Sequence, residues 1–266
     1  MLKISDRLLD TFSRYCSVNI PNQTRVLFLK NKLDSYNQYV SRLKYIKFQE
    51  DIAQFNMEEE YLSYIESVKT NAIRSISSTE DYRLFTTMDL DMGVSECCRD
   101  INTPLNDGRK FISISMRQSD FNTLNYFSQG IFSDALTWEN FIGKFTNLYH
   151  LINSDTLRHE IFQGLSSECH ESCEAYGKYI MSCFIPQIQE IRNITVESLD
   201  RKELVVSVNE SDKALDTMIM MLRLLSTEVP VVIKLFVLQS QQKDLGYIRK
   251  TTHSINLGTD SMNVKQ

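Results

Sequence analysis

From Pro21 to Pro104 the chain carries one intervening glycine, Gly93, and no intervening proline, while apolar residues recur there at helical spacing. Gly and Pro are the residues that most readily end a helix, so a stretch this poor in both predicts long helices. The whole 266-residue chain has only eight glycines and four prolines. That is too few for the many tight turns of a sandwich or barrel of short strands.

Periodicity then lays out the elements. Ser5 is placed to cap a first helix with Leu8, Leu9, Phe12, Tyr15 and Cys16 on one face. A second helix is expected at roughly 23–54, and a third from Met57 to Ser77 behind an Asn56/Glu59 pair at capping-box spacing. Turn formers crowd 89–110, after which Phe111 to Met116 alternates as a half-buried strand, with Glu203 to Val208 as its candidate partner. The second half reads as helices again. One starts at Ser119 and ends at Gly130. Another, capped by Ser133 or Asp134, reaches Ile152. Others cover 155–163, 167–193 with an interruption at Pro186, and Ser211 to Leu225. A last helix is expected from Pro230, which suits a first turn, to Gly246, which suits an end. From Thr251 the sequence is polar and unpatterned, as in a frayed tail.

Charge and cysteine usage bound the partners and the compartment. The formal net charge is −5, which argues against a domain devoted to phosphate backbones and disfavours nucleic acid as a partner. Residues 1–55 carry nine Lys and Arg against five Asp and Glu, a net of about +4, and residues 56–101 carry four against ten, about −6. Neighbouring complementary helices explain that asymmetry most simply; a basic face offered to an acidic partner is the sharper alternative. The first ten residues mix Lys3, Asp6, Arg7 and Asp10 among leucines, so no signal peptide is expected. The most apolar run, Val229 to Leu238, contains Pro230 and Lys234 and is too short to span a bilayer. Six scattered cysteines are not a disulfide framework; they fit the reducing cytoplasm or nucleus.

Four features have side chains capable of chemistry or recognition. Between His150 and Cys183 the chain gathers metal-capable groups, and Cys169 and Cys173, four apart on a helix, share one face. With His159 or His150 they make a weak set of candidate ligands for a structural zinc; buried reduced thiols are the stronger reading of the same residues. A cysteine nucleophile needs a base beside it, and no spacing supplies one. Arg42, Lys44 and Lys47, interleaved with Tyr45 and Phe48, form a possible basic patch, though the pattern is also that of an amphipathic helix with a solvated edge. Met218, Met220 and Met221 with Leu222, Leu224 and Leu225 mark a helix apolar nearly all round, central to a core or, if partly uncovered, a groove for a partner helix. Phosphate-cradling glycine loops are absent from the sequence.

The expectation is a mainly α protein: a multi-helix bundle with long antiparallel helices and at most a minor two-stranded β element. It would divide into a helical region over 1–101, a helical bundle with short strands over 102–250, and a flexible tail over 251–266. With no catalytic residue and no cofactor indicated, the expected function is that of a non-enzymatic intracellular interaction or scaffold protein, acting through protein–protein contacts and self-association. The alternatives are a viral matrix- or nucleocapsid-like protein, a bacterial effector, or an enzyme stabilised by a Cys/His-bound metal or dependent on a thiol.

Overall fold

A computed structural model of the chain describes residues 5–18, 39–88, 99–191, 193–208, 213–225, 228–240 and 246–257, with the backbone alone over 39–42. The chain divides into two compact units, each drawn from two separate stretches: residues 1–83 with 129–166, and 84–128 with 167–266.

The first unit is helical: α1 (Asp6–Cys16), α2 (Tyr39–Ile52), α3 (Glu58–Ser77), the start of α4 (Glu80–Thr87), α6 (Trp138–Ile142), α7 (Tyr149–Ile152) and α8 (Asp155–Gln163). Ser5 caps α1 as expected, its hydroxyl accepting from the Leu8 N–H at 3.1 Å. The expected face of α1 is the buried one. Along α3, Tyr61, Ile65, Val68, Ala72 and Ile76 are buried, the stripe that 3.6-residue spacing dictates. The N-cap of α3 is Met57, without a side-chain bond, and Glu60 rather than Glu59 reaches back to accept from the Asn56 N–H at 3.0 Å. Trp138, Phe132, Phe141 and Phe162 pack ring on ring with centroids 5.1–6.3 Å apart.

The helix expected from Ser133 to Ile152 is broken. Ser133 and Asp134 sit in the left-handed region, with φ of 52° and 61°, and form a turn instead of a cap. Thr137 is the cap, accepting from the Asn140 N–H at 3.1 Å, and two short helices, α6 and α7, follow. Of the helix expected at 23–54, the part before residue 39 lies outside the described residues.

The second unit corrects the expected fold class. Its centre is a five-stranded antiparallel sheet of order β2-β3-β1-β4-β5, not a minor two-stranded element in a helical bundle. The strands are β1 (Lys110–Met116), β2 (Ile194–Leu199), β3 (Glu203–Val208), β4 (Val231–Ser240) and β5 (Tyr247–Leu257). The anticipated pair is present at its middle, with Ile112 opposite Val206 and Ile114 opposite Leu204. The last helix is not: Val231–Ser240 is a strand, and the stretch from Thr251, expected to fray, is strand to Leu257. β-Branched Val231, Val232 and Ile233 favour the pleated conformation. Pro230 stands just outside the strand, where its carbonyl accepts from the Arg117 N–H at 2.9 Å.

Four helices complete this unit: α5 (Ser119–Phe127), α9 (Ser167–Ser182), α10 (Phe184–Gln189) and α11 (Ala214–Leu224). The break between α9 and α10 falls at Cys183, and Pro186 lies in the first turn of α10, where a missing N–H costs little. One face of the sheet, with Ile112, Ile114, Leu204, Val206, Ile233 and Leu235, packs against Ile180, Met181, Phe184, Ile188, Met218 and Met221. The other carries a smaller cluster of Phe111, Val205, Phe236 and Leu238 with Ile101. The methionine-rich helix α11 thus buries Met218 and Met221, while Met220 and Leu224 lie on an exposed flank. Among the described residues no helix is long and apolar enough to cross a membrane.

Candidate functional site

In the helical unit, α1, α2 and α7 enclose a cavity of about 460 Å³ whose lining includes Tyr15, Cys16, Leu43, Lys44, Tyr149 and His150. Two features that sequence reasoning treated separately meet here: His150 from the metal-capable segment, and Lys44 and Lys47 from the basic run. The side chain of Arg42, the third member of that run, lies outside the described residues.

Behind the cavity runs a polar network. His150 Nδ1 is 2.5 Å from the Asp51 carboxylate, which also accepts from the His150 backbone N–H at 3.0 Å. Its Nε2 is 2.7 Å from the Tyr61 hydroxyl. Burial works to raise the Asp51 pKa, but the side-chain and backbone hydrogen bonds from His150 outweigh it and hold the carboxyl below its ordinary 3.8. An ionised carboxylate only accepts, so Nδ1 carries the proton of that bond. Burial pushes the Tyr61 phenol far up, so it keeps its proton. Both ring nitrogens of His150 are therefore committed, and the ring ties α2, α3 and α7 together. Phe48 closes over it at a centroid distance of 5.0 Å.

Cys16 lines the same cavity, and burial pushes its thiol up to about 12, so it is not a ready nucleophile. The Lys44 ammonium donates to the Cys16 carbonyl at 2.7 Å, at the last turn of α1. Lys47 is paired with Glu50 at 2.6 Å. A second polar hub lies nearby in the same unit, where Glu160 accepts from the Tyr15 hydroxyl at 3.0 Å and pairs with Arg14 at 2.6 Å and Lys69 at 3.3 Å. The Tyr15 phenol is raised, first by burial and then by the Glu160 charge. Asp51, Tyr61 and Tyr15 carry no sequence signal as site residues, whereas Glu160 belongs to the metal-capable segment from His150 to Cys183 and here serves a salt-bridge hub. Asp51 lies 99 residues from the His150 it serves, and Tyr61 lies 89.

The candidate metal ligands are distributed differently. His150 and His159 belong to the helical unit, Cys169 and Cys173 to the sheet unit. His159 is exposed on α8. The cysteines do share one face of α9, both buried. The hydrogen bond that the Cys173 thiol donates to Cys169, reinforced by burial, drives the Cys173 pKa far up, which disfavours the thiolate a metal needs. Among the described residues no group of three or more His, Cys, Asp or Glu side chains is placed to hold a metal ion.

The sheet unit offers a surface of another kind. β5 is an edge strand of eleven residues, exposed without interruption from Ile248 to Ser254. Among the described residues no strand pairs with its outer side. Its register against β4 shifts between Leu235 and Phe236, and the Thr252 hydroxyl donates to the Leu235 carbonyl at 3.1 Å. Arg249 does not guard the edge. It lies 4.9 Å over the Phe236 ring and pairs with Glu203 of β3 at 2.7 Å.

No protein-family model matches the chain, and neither a curated protein nor a solved structure matches it.

Proposed function

We propose that this protein is a non-enzymatic interaction protein whose contact element is the free edge of β5. One observation carries the reading: a strand this long, exposed from Ile248 to Ser254 and holding the sheet through Ile255 and Leu257, leaves a row of outward N–H and C=O groups with no partner strand among the described residues. Such an edge is a template for an added strand, with main-chain bonds giving affinity and alternate side chains giving specificity. Proteins that must avoid this pairing blunt their edges with bulges and charged side chains. Here the irregularity at Thr252 and the charge of Lys250 interrupt only the first half of the strand. His253 to Leu257 has no Lys, Arg, Asp or Glu and no shift of register.

The states of the buried ionisable groups favour binding over catalysis. The His150 nitrogens are occupied by Asp51 and Tyr61, and the Cys16 thiol is protonated. The occupant of the edge is a strand from a protein partner; a second copy of this chain would give the self-association expected from sequence.

The test is photo-crosslinking in the native cell with p-benzoylphenylalanine at Asn256 on the edge and, as a control, at Leu105, which is 89% exposed. A discrete protein adduct from position 256 and none from 105 is the expected result. Equal adducts from both positions, or none from 256, would overturn the reading. Ser254→Lys with Asn256→Lys, placing cations on the open half, should abolish the adduct from a crosslinker moved to His253 without altering thermal stability.

A further inference from the structure

We propose that the cavity enclosed by α1, α2 and α7 is a binding site for an organic anion, an apolar ring system bearing one carboxylate, and that Lys44 recognises its charge. This stands on the helical unit alone and does not depend on the β5 edge.

A volume of about 460 Å³ is that of a small-molecule pocket. Its walls suit an apolar body: Leu43, which keeps 45% of its surface open, with Tyr15 and Tyr149. His150 offers the cavity its ring and no free nitrogen, because Asp51 and Tyr61 hold both. A ligand therefore meets no base there.

Charge decides the remaining chemistry. Of the charged side chains lining the cavity, Lys47 is paired with Glu50, and Asp155 with Arg158 at 2.6 Å. Lys44 differs. Among the described residues its one hydrogen bond goes to a neutral group, the Cys16 carbonyl. An ammonium has three N–H donors, so two remain for a ligand, and among the described residues no carboxylate pairs with it. A ligand acid group completes that set with a charge-assisted hydrogen bond, while its apolar body covers Leu43.

Isothermal titration calorimetry of the full chain with 2-naphthoate and with 2-naphthamide, its uncharged counterpart of the same shape, tests this directly. The carboxylate should bind about tenfold or more tightly than the amide, the span of a hydrogen bond to a charged group. Lys44→Gln should bring the two ligands to within about twofold by weakening the carboxylate alone. Leu43→Trp, which fills the mouth, should weaken both. Thermal melts of the variants confirm that each is folded. Equal affinity of the two ligands for the unaltered protein would overturn the charge recognition. Absence of binding by both, or binding unchanged by Leu43→Trp, would overturn the cavity as the site.

Discussion

The two units differ in what they keep inside. In the helical unit ionisable side chains reach into the packed interior: Asp51 and His150 behind the cavity, Glu160 among Tyr15, Arg14 and Lys69, and Arg158 at 6% exposure. Among the described residues of the sheet unit the buried polar side chains are Ser113, Asn122, Thr123, Ser172, Ser207 and Thr217, all uncharged, and its best-covered carboxylates, Asp120 and Glu197, each pair with an arginine, Arg201 and the exposed Arg99. One interior is specified by directional bonds that only one arrangement of helices satisfies; the other is specified by strand ladders and apolar burial. A polar network loses strength when any partner changes its protonation, whereas apolar burial does not titrate. The comparison therefore predicts different responses to truncation and to acid.

The largest effect belongs to the apolar interior. Phe236→Ala should destabilise the sheet unit by about 3–5 kcal/mol, because the ring is 2% exposed and stacks on Phe111 at 5.6 Å. Urea unfolding at pH 7 and at pH 4.5 should give the same loss at both. A loss that grows or shrinks with pH, and does so equally in a Glu203→Gln background that removes the carboxylate paired with Arg249 over the ring, would place a titrating group in that interior and end the contrast.

The next effect belongs to the network. Asp51→Asn keeps the shape but removes the charge that accepts two bonds from His150, and should cost about 2–3 kcal/mol near neutrality. The sign of the pH dependence follows from the direction of the shift. The folded carboxyl titrates below its ordinary 3.8, so its contribution is complete above that value and is lost as pH falls through the lower folded value. Denaturation midpoints followed downward from pH 6 should show an acid-side decline in the unaltered protein that is shallower in Asp51→Asn. Parallel curves would remove Asp51 from the account.

How much of this could be read from the letters also differs between the units. α1 and α3 were legible because each buries one stripe, so burial and periodicity carry the same information: Leu8, Phe12 and Tyr15 in one, Tyr61, Ile65 and Val68 in the other. β4 was not. It has apolar contacts on both faces, with Ile233 and Leu235 toward the helices and Phe236 and Leu238 away from them, so its alternation is obscured. β5 failed for the opposite reason: exposed from Ile248 to Ser254, it shows apolar alternation only at Ile255 and Leu257, too short a pattern to detect. The cavity was half legible. The basic run and His150 were visible as residues, but Asp51 and Tyr61 earn their roles only through contacts about ninety residues away in sequence, which no local spacing encodes.

A smaller effect isolates packing from charge in the sheet unit. Gly177 lies within α9, and a Cβ there would stand 2.9 Å from the Arg201 carbonyl oxygen and 2.9 Å from its Cβ. Backbone on the far side cannot swing away as a side-chain tip can. Gly177→Ala, although it favours helix, should therefore destabilise by about 1–2 kcal/mol, less than the aromatic truncation, and show as a lower melting midpoint. A gain in stability would mean that α9 has room to move off the β2–β3 turn.

The smallest expected perturbation leaves stability untouched and probes burial in both units at once. The described free cysteines are Cys16 in the helical unit and Cys169, Cys173 and Cys183 in the sheet unit; only Cys183 is exposed. Alkylation by iodoacetamide proceeds through the thiolate. With its pKa pushed up to about 12 by burial, Cys16 holds only about one thiolate in ten thousand at pH 8, and the bond to Cys169 protects Cys173 further. Timed labelling of the native protein, read by peptide mass, should modify Cys183 first among these four, with Cys16 and the Cys169/Cys173 pair following only as their units open. Because opening sets that slow step, Asp51→Asn should speed Cys16 and Phe236→Ala should speed Cys169 and Cys173. If either variant accelerates all three buried thiols equally, the two interiors unfold as one, and the contrast between them describes composition without independence.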